Sequence, residues 1–319
     1  MEAYKERMKA AGIVPVVVLE DSARAVDTAK ALLAGGIDVM EITLRTEAAA
    51  ESIRLVAEQC PDMLVGAGTV LTLDQCKEVV DKGASFIVCP GFDEEIVKWC
   101  VENKVMVLPG CATPSEIMKA SGYGIETVKF FPANVYGGLQ ALKALAAPFN
   151  KMSFLPTGGI NEKNLSEYIV QPYIAAAGGS WICTAKDISE GNFERITELC
   201  KEARKTLLGY EIAHIGINMP DNESSLNVCG EFKKAFDMET KEGASSNFAG
   251  PGIEVMNTMY LGKNGHIAVR TNNIDIAMED LKRKGYKVDL STMKYNGTKK
   301  IAVYLEQEFG GFAIHLLQK

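Results

Sequence analysis

Residues 127–134 read TVKFFPAN, a β-rich run with one lysine, Lys129, set between apolar neighbours. Such a run forms a strand, and along a strand successive side chains point to opposite faces. If Val128 and Phe130 pack outward, then Thr127, Lys129 and Phe131 point inward. A lysine inside a sheet is costly to bury, so it needs a partner or a task.

The neighbouring sequence identifies the sheet. Short β-rich runs alternate with amphipathic helical patterns from residue 13 onward. The runs are IVPVVV (13–18), DVMEITLR (38–45), MLVGAGTV (63–70), SFIVCPG (85–91), VMVLPGCA (105–112), TVKFFPAN, SFLPTGG (153–159) and IAAAGGSW (174–181). Helix starts are marked at Asp21, Thr46, Thr72, Asp93, Thr113, Gly137 and Asn161, and a last helix covers 192–208. Apolar strands alternating with helices form a parallel sheet covered on its faces. Eight repeats predict an α/β fold of the (β/α)8, or TIM barrel, class over residues 1–208.

In such a barrel the chemistry gathers at the C-terminal ends of the strands. In DVMEITLR, Met40, Ile42 and Leu44 form the apolar set, so Glu41 and Arg45 share the inner face with Lys129. Two readings follow. Lys129 and Glu41 form a structural ion pair, or Lys129 is a Schiff-base lysine whose neutral amine is favoured by burial. In the second reading Glu41 shuttles protons and Arg45 clamps a carboxylate. The runs in strands 7 and 8 end in glycine pairs, PTGGI (156–160) and AGGSW (177–181), each ahead of a helical pattern. Glycine lets backbone N–H groups approach an oxyanion at the usual phosphate position of this barrel. The expected substrate carries a phosphate, a carboxylate and a carbonyl.

The segments MEITLRTE (40–47), VGAGTV (65–70), CPG (89–91), VKFFPAN (128–134), PTGGI and GGSW (178–181) closely resemble the 2-keto-3-deoxy-6-phosphogluconate (KDPG) aldolases, which also act on 4-hydroxy-2-oxoglutarate (KHG). The resemblance spans about residues 8–205. It implies a class I aldolase that needs no cofactor, usually a homotrimer, with Lys129 as the Schiff-base lysine and Glu41 as the general acid/base. Arg45, Thr69 and Thr157 match the family's pyruvate-binding residues, and Pro90 lies in its matching CPG motif. Gly158, Gly159, Gly179 and Ser180 match its phosphate loops. The implied reaction splits KDPG into pyruvate and glyceraldehyde 3-phosphate. The galactonate-derived epimer and KHG, which would give glyoxylate, are alternative substrates. CATPSE (111–116) departs from the family, where a serine more often precedes the threonine.

The rhythm breaks near residue 209. Residues 209–319 show an internal repeat: AHIGINMP (213–220), a helix over 222–236 and FDMET (236–240) parallel GHIAVRTN (265–272), a helix over 274–284 and YKVDL (286–290). β-rich runs GIEVMNTMY (252–260), KIAVYLEQ (300–307) and GFAIHLLQ (311–318) close the halves. The pattern predicts an α+β domain of tandem βαβββ modules. All three histidines of the chain lie in this domain. Alternation sets His214, Glu254, His266 and His315 opposite apolar neighbours, so all four face one cavity. Imidazoles and a carboxylate suit Zn, Ni, Co, Mn or Fe. The pattern resembles the vicinal oxygen chelate superfamily, to which glyoxalase I belongs. That resemblance implies a divalent metal held by these four residues, with His315 where glyoxalase-like members carry glutamate. A separate metal-dependent enzyme and a binding module are both open for this domain.

Composition bounds the rest. The chain has 319 residues, 47% hydrophobic and 24% charged, and a net charge of −7. An acidic chain without a Lys/Arg block is not built for nucleic acid or an anionic membrane. No apolar run spans a bilayer, and MEAYKERMKAAG is not a signal peptide. The eight cysteines form no C-x-x-C pair, as expected of free thiols in a cytoplasmic protein. The expected partner is a small phosphorylated keto acid.

Overall fold

The β-rich runs of the first 200 residues form strands where their apolar side chains can be covered on both faces. The structure, a computed structural model, describes residues 2–319. The chain divides into Met1–Leu207 and Leu208–Lys319. In the first unit the strands are β1 (Ile13–Val17), β2 (Val39–Thr43), β3 (Leu64–Gly68), β4 (Phe86–Val88), β5 (Met106–Leu108), β6 (Thr127–Phe130), β7 (Ser153–Pro156) and β8 (Ala177–Gly179). The helices are α1 (Glu2–Ala11), α2 (Ala25–Ala34), α3 (Ala49–Gln59), α4 (Leu73–Asp81), α5 (Glu94–Glu102), α6 (Pro114–Gly122), α7 (Gly138–Ala146), α8 (Leu165–Ile169), α9 (Ala185–Glu190) and α10 (Phe193–Leu208).

The strands make a curled parallel sheet in the order β5-β4-β3-β2-β1-β8, with β6 and β7 paired separately. Single bridges join the two groups, Gly110 to Lys129 on one side and Thr157 to Gly178 on the other. Helix starts follow the polar caps in most places. Thr72 and Asp93 each accept from a backbone N–H of the first turn, and Thr113 with Glu116 forms a capping box. Thr46 and Asn161 are not caps, contrary to the sequence expectation. The Thr46 hydroxyl donates to the Leu19 carbonyl instead, and α3 begins at Ala49. Asn161 closes a local turn by accepting from the Lys163 N–H, and α8 begins at Leu165.

Alternation then fills the interior. Val14, Val39, Leu64, Phe86 and Met106, near the N-terminal ends of their strands, cluster with Val88, Leu108, Leu155, Ala176 and with Met8 and Ala11 of α1. α1 therefore floors the N-terminal end. The polar inward residues Glu41, Lys129 and Thr157 sit further along their strands, toward the C-terminal end.

The second unit is mostly sheet. Its elements are β9 (Glu211–Ile217), α11 (Asn222–Phe236), β10 (Thr240–Lys241), β11 (Ser246–Ala249), β12 (Ile253–Met256), β13 (Gly265–Thr271), α12 (Ile274–Arg283), β14 (Val288–Asn296), β15 (Lys299–Phe309) and β16 (Phe312–Gln318). The eight strands run β10-β11-β12-β9-β13-β16-β15-β14 in one sheet. β11, with the sequence SNFA, has no apolar alternation and is a strand the sequence does not announce. FDMET and GIEVMNTMY shrink to Thr240–Lys241 and Ile253–Met256. α11 packs Cys229 and Phe232 on Ala249, Val255 and Ile253. Ile215, expected on the helix side, remains 37% exposed because α11 lies over β11 and β12. Among the described residues, no helix is long and apolar enough to cross a membrane.

Phe86 holds the floor of the first unit: its ring fills the space that a side chain at position 66 would need. Phe86→Ala is expected to cost about 3–4 kcal/mol, read from the urea transition of the first unit, with Phe86→Leu recovering most of it.

Candidate functional site

Lys129 and Glu41 meet inside the curled sheet. The Lys129 Nζ donates to Glu41 Oε1 at 3.1 Å, with side-chain exposures of 6% and 0%. Backbone bonds fix the lysine on its strand: its N–H donates to the Pro109 carbonyl, and its carbonyl accepts from the Cys111 N–H, both at 2.9 Å. Glu41 is set by a neighbour that lacks a side chain. A Cβ on Gly68 would lie 2.1 Å from Glu41 Oε1, so the carboxylate occupies the volume that glycine leaves free. Glu41 Oε2 is buried without a hydrogen bond, as is Thr157 Oγ1. A purely structural ion pair gains nothing from a bare carboxylate oxygen, whereas a group that moves protons needs one. The ring of Phe131 flanks the ammonium at 5.4 Å.

The remaining candidates lie around the C-terminal ends of the strands. Arg45 does not enter the interior, although alternation puts it on the inner face with Glu41. β2 ends at Thr43, the chain turns, and Arg45 is exposed with its Nε donating to Thr69 Oγ1 at 3.3 Å. Thr69 holds a left-handed φ of 58° at the end of β3. Pro90 is exposed just past β4, and its carbonyl lies where a side chain on Gly110 would be. Thr157 sits against Gly178, where a Cβ would come within 2.2 Å of its hydroxyl. Gly158 and Gly159 hold φ values of 92° and 83°, and their N–H groups make no hydrogen bond among the described residues. Gly179 lies under the Trp181 ring, and Ser180 is exposed. The glycine pairs do not open directly into helices: α8 starts at Leu165 and α9 at Ala185. Any oxyanion there is served by loop amides, not by a helix end. Gly68 and Gly178 are site residues that alternation alone does not reveal; a glycine inside a strand is their signal.

The second unit gathers its histidines on one sheet face. In register, Ala268 lies opposite His214 and beside His315, with His266 two residues along, and His315 lies opposite Tyr304. Ring nitrogens of His214, His266 and His315 lie within 4.8 Å of one another. Glu254 Oε2 is 3.0 Å from His214 Nε2 and 3.1 Å from His266 Nε2. Gly216 makes room, since a Cβ there would overlap the His266 ring. Burial alone would raise the Glu254 carboxyl, but hydrogen bonds with His214, His266 and Ser246 hold it well below the carboxylate range. Burial, then charge on His266 and His214, pushes His315 down to about 3. Both of its ring nitrogens are buried and unpartnered, as is His266 Nδ1. Tyr304 stacks on His315 at 4.6 Å and 17°, a support that the sequence pattern did not single out. All eight cysteines are buried free thiols away from these four residues' roles.

Comparison with known proteins bears on the first unit. Residues 4–199 match the model of the KDPG and KHG aldolase family. The chain is 46% identical over 199 residues to the 2-dehydro-3-deoxy-phosphogluconate aldolase of Dickeya dadantii, covering 62% of this chain and 93% of that relative. It is 44% identical over 191 residues to the KHG/KDPG aldolase of Escherichia coli, covering 60% of this chain and 90% of that relative. Among solved structures it resembles the KDPG aldolase of Legionella pneumophila with pyruvate captured as a covalent carbinolamine, at 42% identity and a TM-score of 0.60 over 62% of this chain and 96% of that one. With a family match over more than half the chain, this protein belongs to the KDPG and KHG aldolases and is an aldehyde-lyase of the class I type.

Proposed function

We propose that the first unit, read as a (β/α)8 barrel over residues 1–208, cleaves 2-keto-3-deoxy-6-phosphogluconate to pyruvate and glyceraldehyde 3-phosphate. The observation that carries this reading is the buried Lys129–Glu41 pair with its unused carboxylate oxygen. The Lys129 amine attacks the C2 ketone, and Glu41 delivers the proton with which water leaves, forming an iminium. Glu41 then takes the C4 hydroxyl proton as the C3–C4 bond breaks, and the bonding pair moves into the iminium to form an enamine. Protonation at C3 and hydrolysis release pyruvate and the free lysine. The iminium is the electron sink, so the cleavage needs no metal.

Arg45, Thr69 and Thr157 are placed to hold the carboxylate end, with Pro90 walling the mouth. The free amides of Gly158 and Gly159, with Gly179 and Ser180, form the phosphate cradle. KHG, which lacks the phosphate, is read as a second substrate. The family resemblance adds a homotrimer in the cytoplasm. A KDPGal structure also resembles this chain at 28% identity and a TM-score of 0.56. An assay therefore compares both C4 epimers and KHG.

The second unit, read as tandem βαβββ modules of the vicinal oxygen chelate kind over residues 209–319, is a metal-binding module. Its four donors fit a divalent ion of the Zn, Ni, Co, Mn or Fe series. The ring nitrogens of the three histidines lie within 4.8 Å of one another, and neutral His315 offers one lone pair on a buried ring with no hydrogen-bond partner. A metal there would polarise a carbonyl oxygen as a Lewis acid.

Three outcomes are expected. Borohydride with pyruvate traps an adduct on Lys129, seen by peptide mass. Lys129→Ala forms none and loses at least about 1000-fold in kcat/KM; full activity in that variant overturns the assignment. Gly68→Ala displaces Glu41 and lowers kcat about 100-fold in the aldolase assay while the fold persists by circular dichroism. His266→Ala lowers bound metal per chain, measured by elemental analysis, without changing aldolase rate; unchanged metal content refutes the centre.

A further inference from the structure

Asn164 stands at the N-cap of α8, where an asparagine side chain ordinarily accepts from an N–H of the first helical turn. Here it makes no such bond. Its Nδ2 turns back and donates to the Gly159 carbonyl at 2.9 Å, while its Oδ1 accepts from the Asn161 N–H at 2.8 Å. These two contacts fix which way the side-chain amide faces. The Asn161 Nδ2 approaches the same carbonyl at 3.5 Å. The helix forgoes a cap, and the loop after β7 gains a tether.

That tether completes a series along the loop. The Thr157 carbonyl accepts from the Ala133 N–H at 2.8 Å, and the Gly158 carbonyl from the Asn134 N–H at 3.1 Å. In a trans peptide the carbonyl and the following N–H point in opposite directions. Each held carbonyl therefore turns the next N–H away from its partner: Gly158, then Gly159 and, through Asn164, Ile160. None of these three N–H groups donates to another of the described residues. Ile160 is only 6% exposed, and an unpaired N–H on a buried residue is costly unless an acceptor comes to it. Asn134 also crowds Gly159, where a Cβ would come within 2.5 Å of its side chain.

Taking the phosphate cradle proposed above as given, we infer that Ile160 supplies it with a third backbone amide and that Asn164 is the positioning residue that aims this amide. Successive backbone N–H groups left free in this way form a nest for an oxyanion. Asn164 touches no substrate atom, and its effect runs through the Gly159–Ile160 peptide. It sets how strongly a phosphorylated keto acid is favoured over one without a phosphate, and it leaves the chemistry of Lys129 and Glu41 alone.

The test uses the full chain and follows KDPG cleavage, its inhibition by inorganic phosphate, and the rate of borohydride trapping of pyruvate, which carries no phosphate. Asn164→Ala is expected to raise the KM for KDPG and the phosphate inhibition constant about ten-fold each, with kcat and pyruvate trapping changed less than about three-fold. Asn164→Asp keeps an acceptor for the Asn161 N–H but has no donor for the Gly159 carbonyl, and at least the same loss is expected. Phosphate inhibition unchanged in either variant overturns the role of Asn164. An equal loss in pyruvate trapping also overturns it, because a structural defect would act on both readouts. Failure of inorganic phosphate to inhibit the unaltered chain refutes the phosphate cradle itself, and this inference with it.

Discussion

The first unit is organised around one constraint: a lysine and a glutamate must be held together away from water. An ion pair this deep costs more in lost hydration than it returns unless each group is placed closely. Placement comes from the sheet. Backbone bonds to Pro109 and Cys111, just past β5, fix Lys129, and the missing side chain at Gly68 admits Glu41. The apolar layer built on Phe86 and floored by Met8 keeps the opposite end dry, so access to the pair runs through the C-terminal mouth. The substrate-facing candidates stand around that mouth, on loops that a rigid scaffold can vary without disturbing the core.

The second unit answers a similar cost by another route. Its buried polar groups are satisfied in part by each other, through Glu254 and two histidines, and left open in part, at His315 and His266 Nδ1. Buried imidazole nitrogens without partners cost stability. Three such nitrogens, Nδ1 of His266 and both ring nitrogens of His315, lie on the paired strands β13 and β16, between Glu254 on β12 and Tyr304 on β15. In both units a glycine on the neighbouring strand leaves the space that a buried polar side chain fills, Gly68 for Glu41 and Gly216 for His266.

Much of this was readable in the residues. Alternation in TVKFFPAN and DVMEITLR set Lys129 and Glu41 on inner faces, because the period of a strand is two and one face must be apolar. The same rule brought His214, Glu254, His266 and His315 to one face. It failed at Arg45, which lies beyond the end of β2, where a turn resets the direction of side chains. It also missed β11, whose polar sequence is held in the sheet by its neighbours, and misjudged Ile215, which no helix covers.

By itself the sequence determined the period of the elements, the division near residue 208, and which residue types carry chemistry, since these follow from local patterns of polarity along the chain. Only the tertiary structure decided that Lys129 touches Glu41 across 88 positions, that the glycine pairs lead into loops and not helix ends, and that Tyr304 stacks on His315. Those relations depend on register and curvature between strands distant in sequence, and no local pattern encodes them.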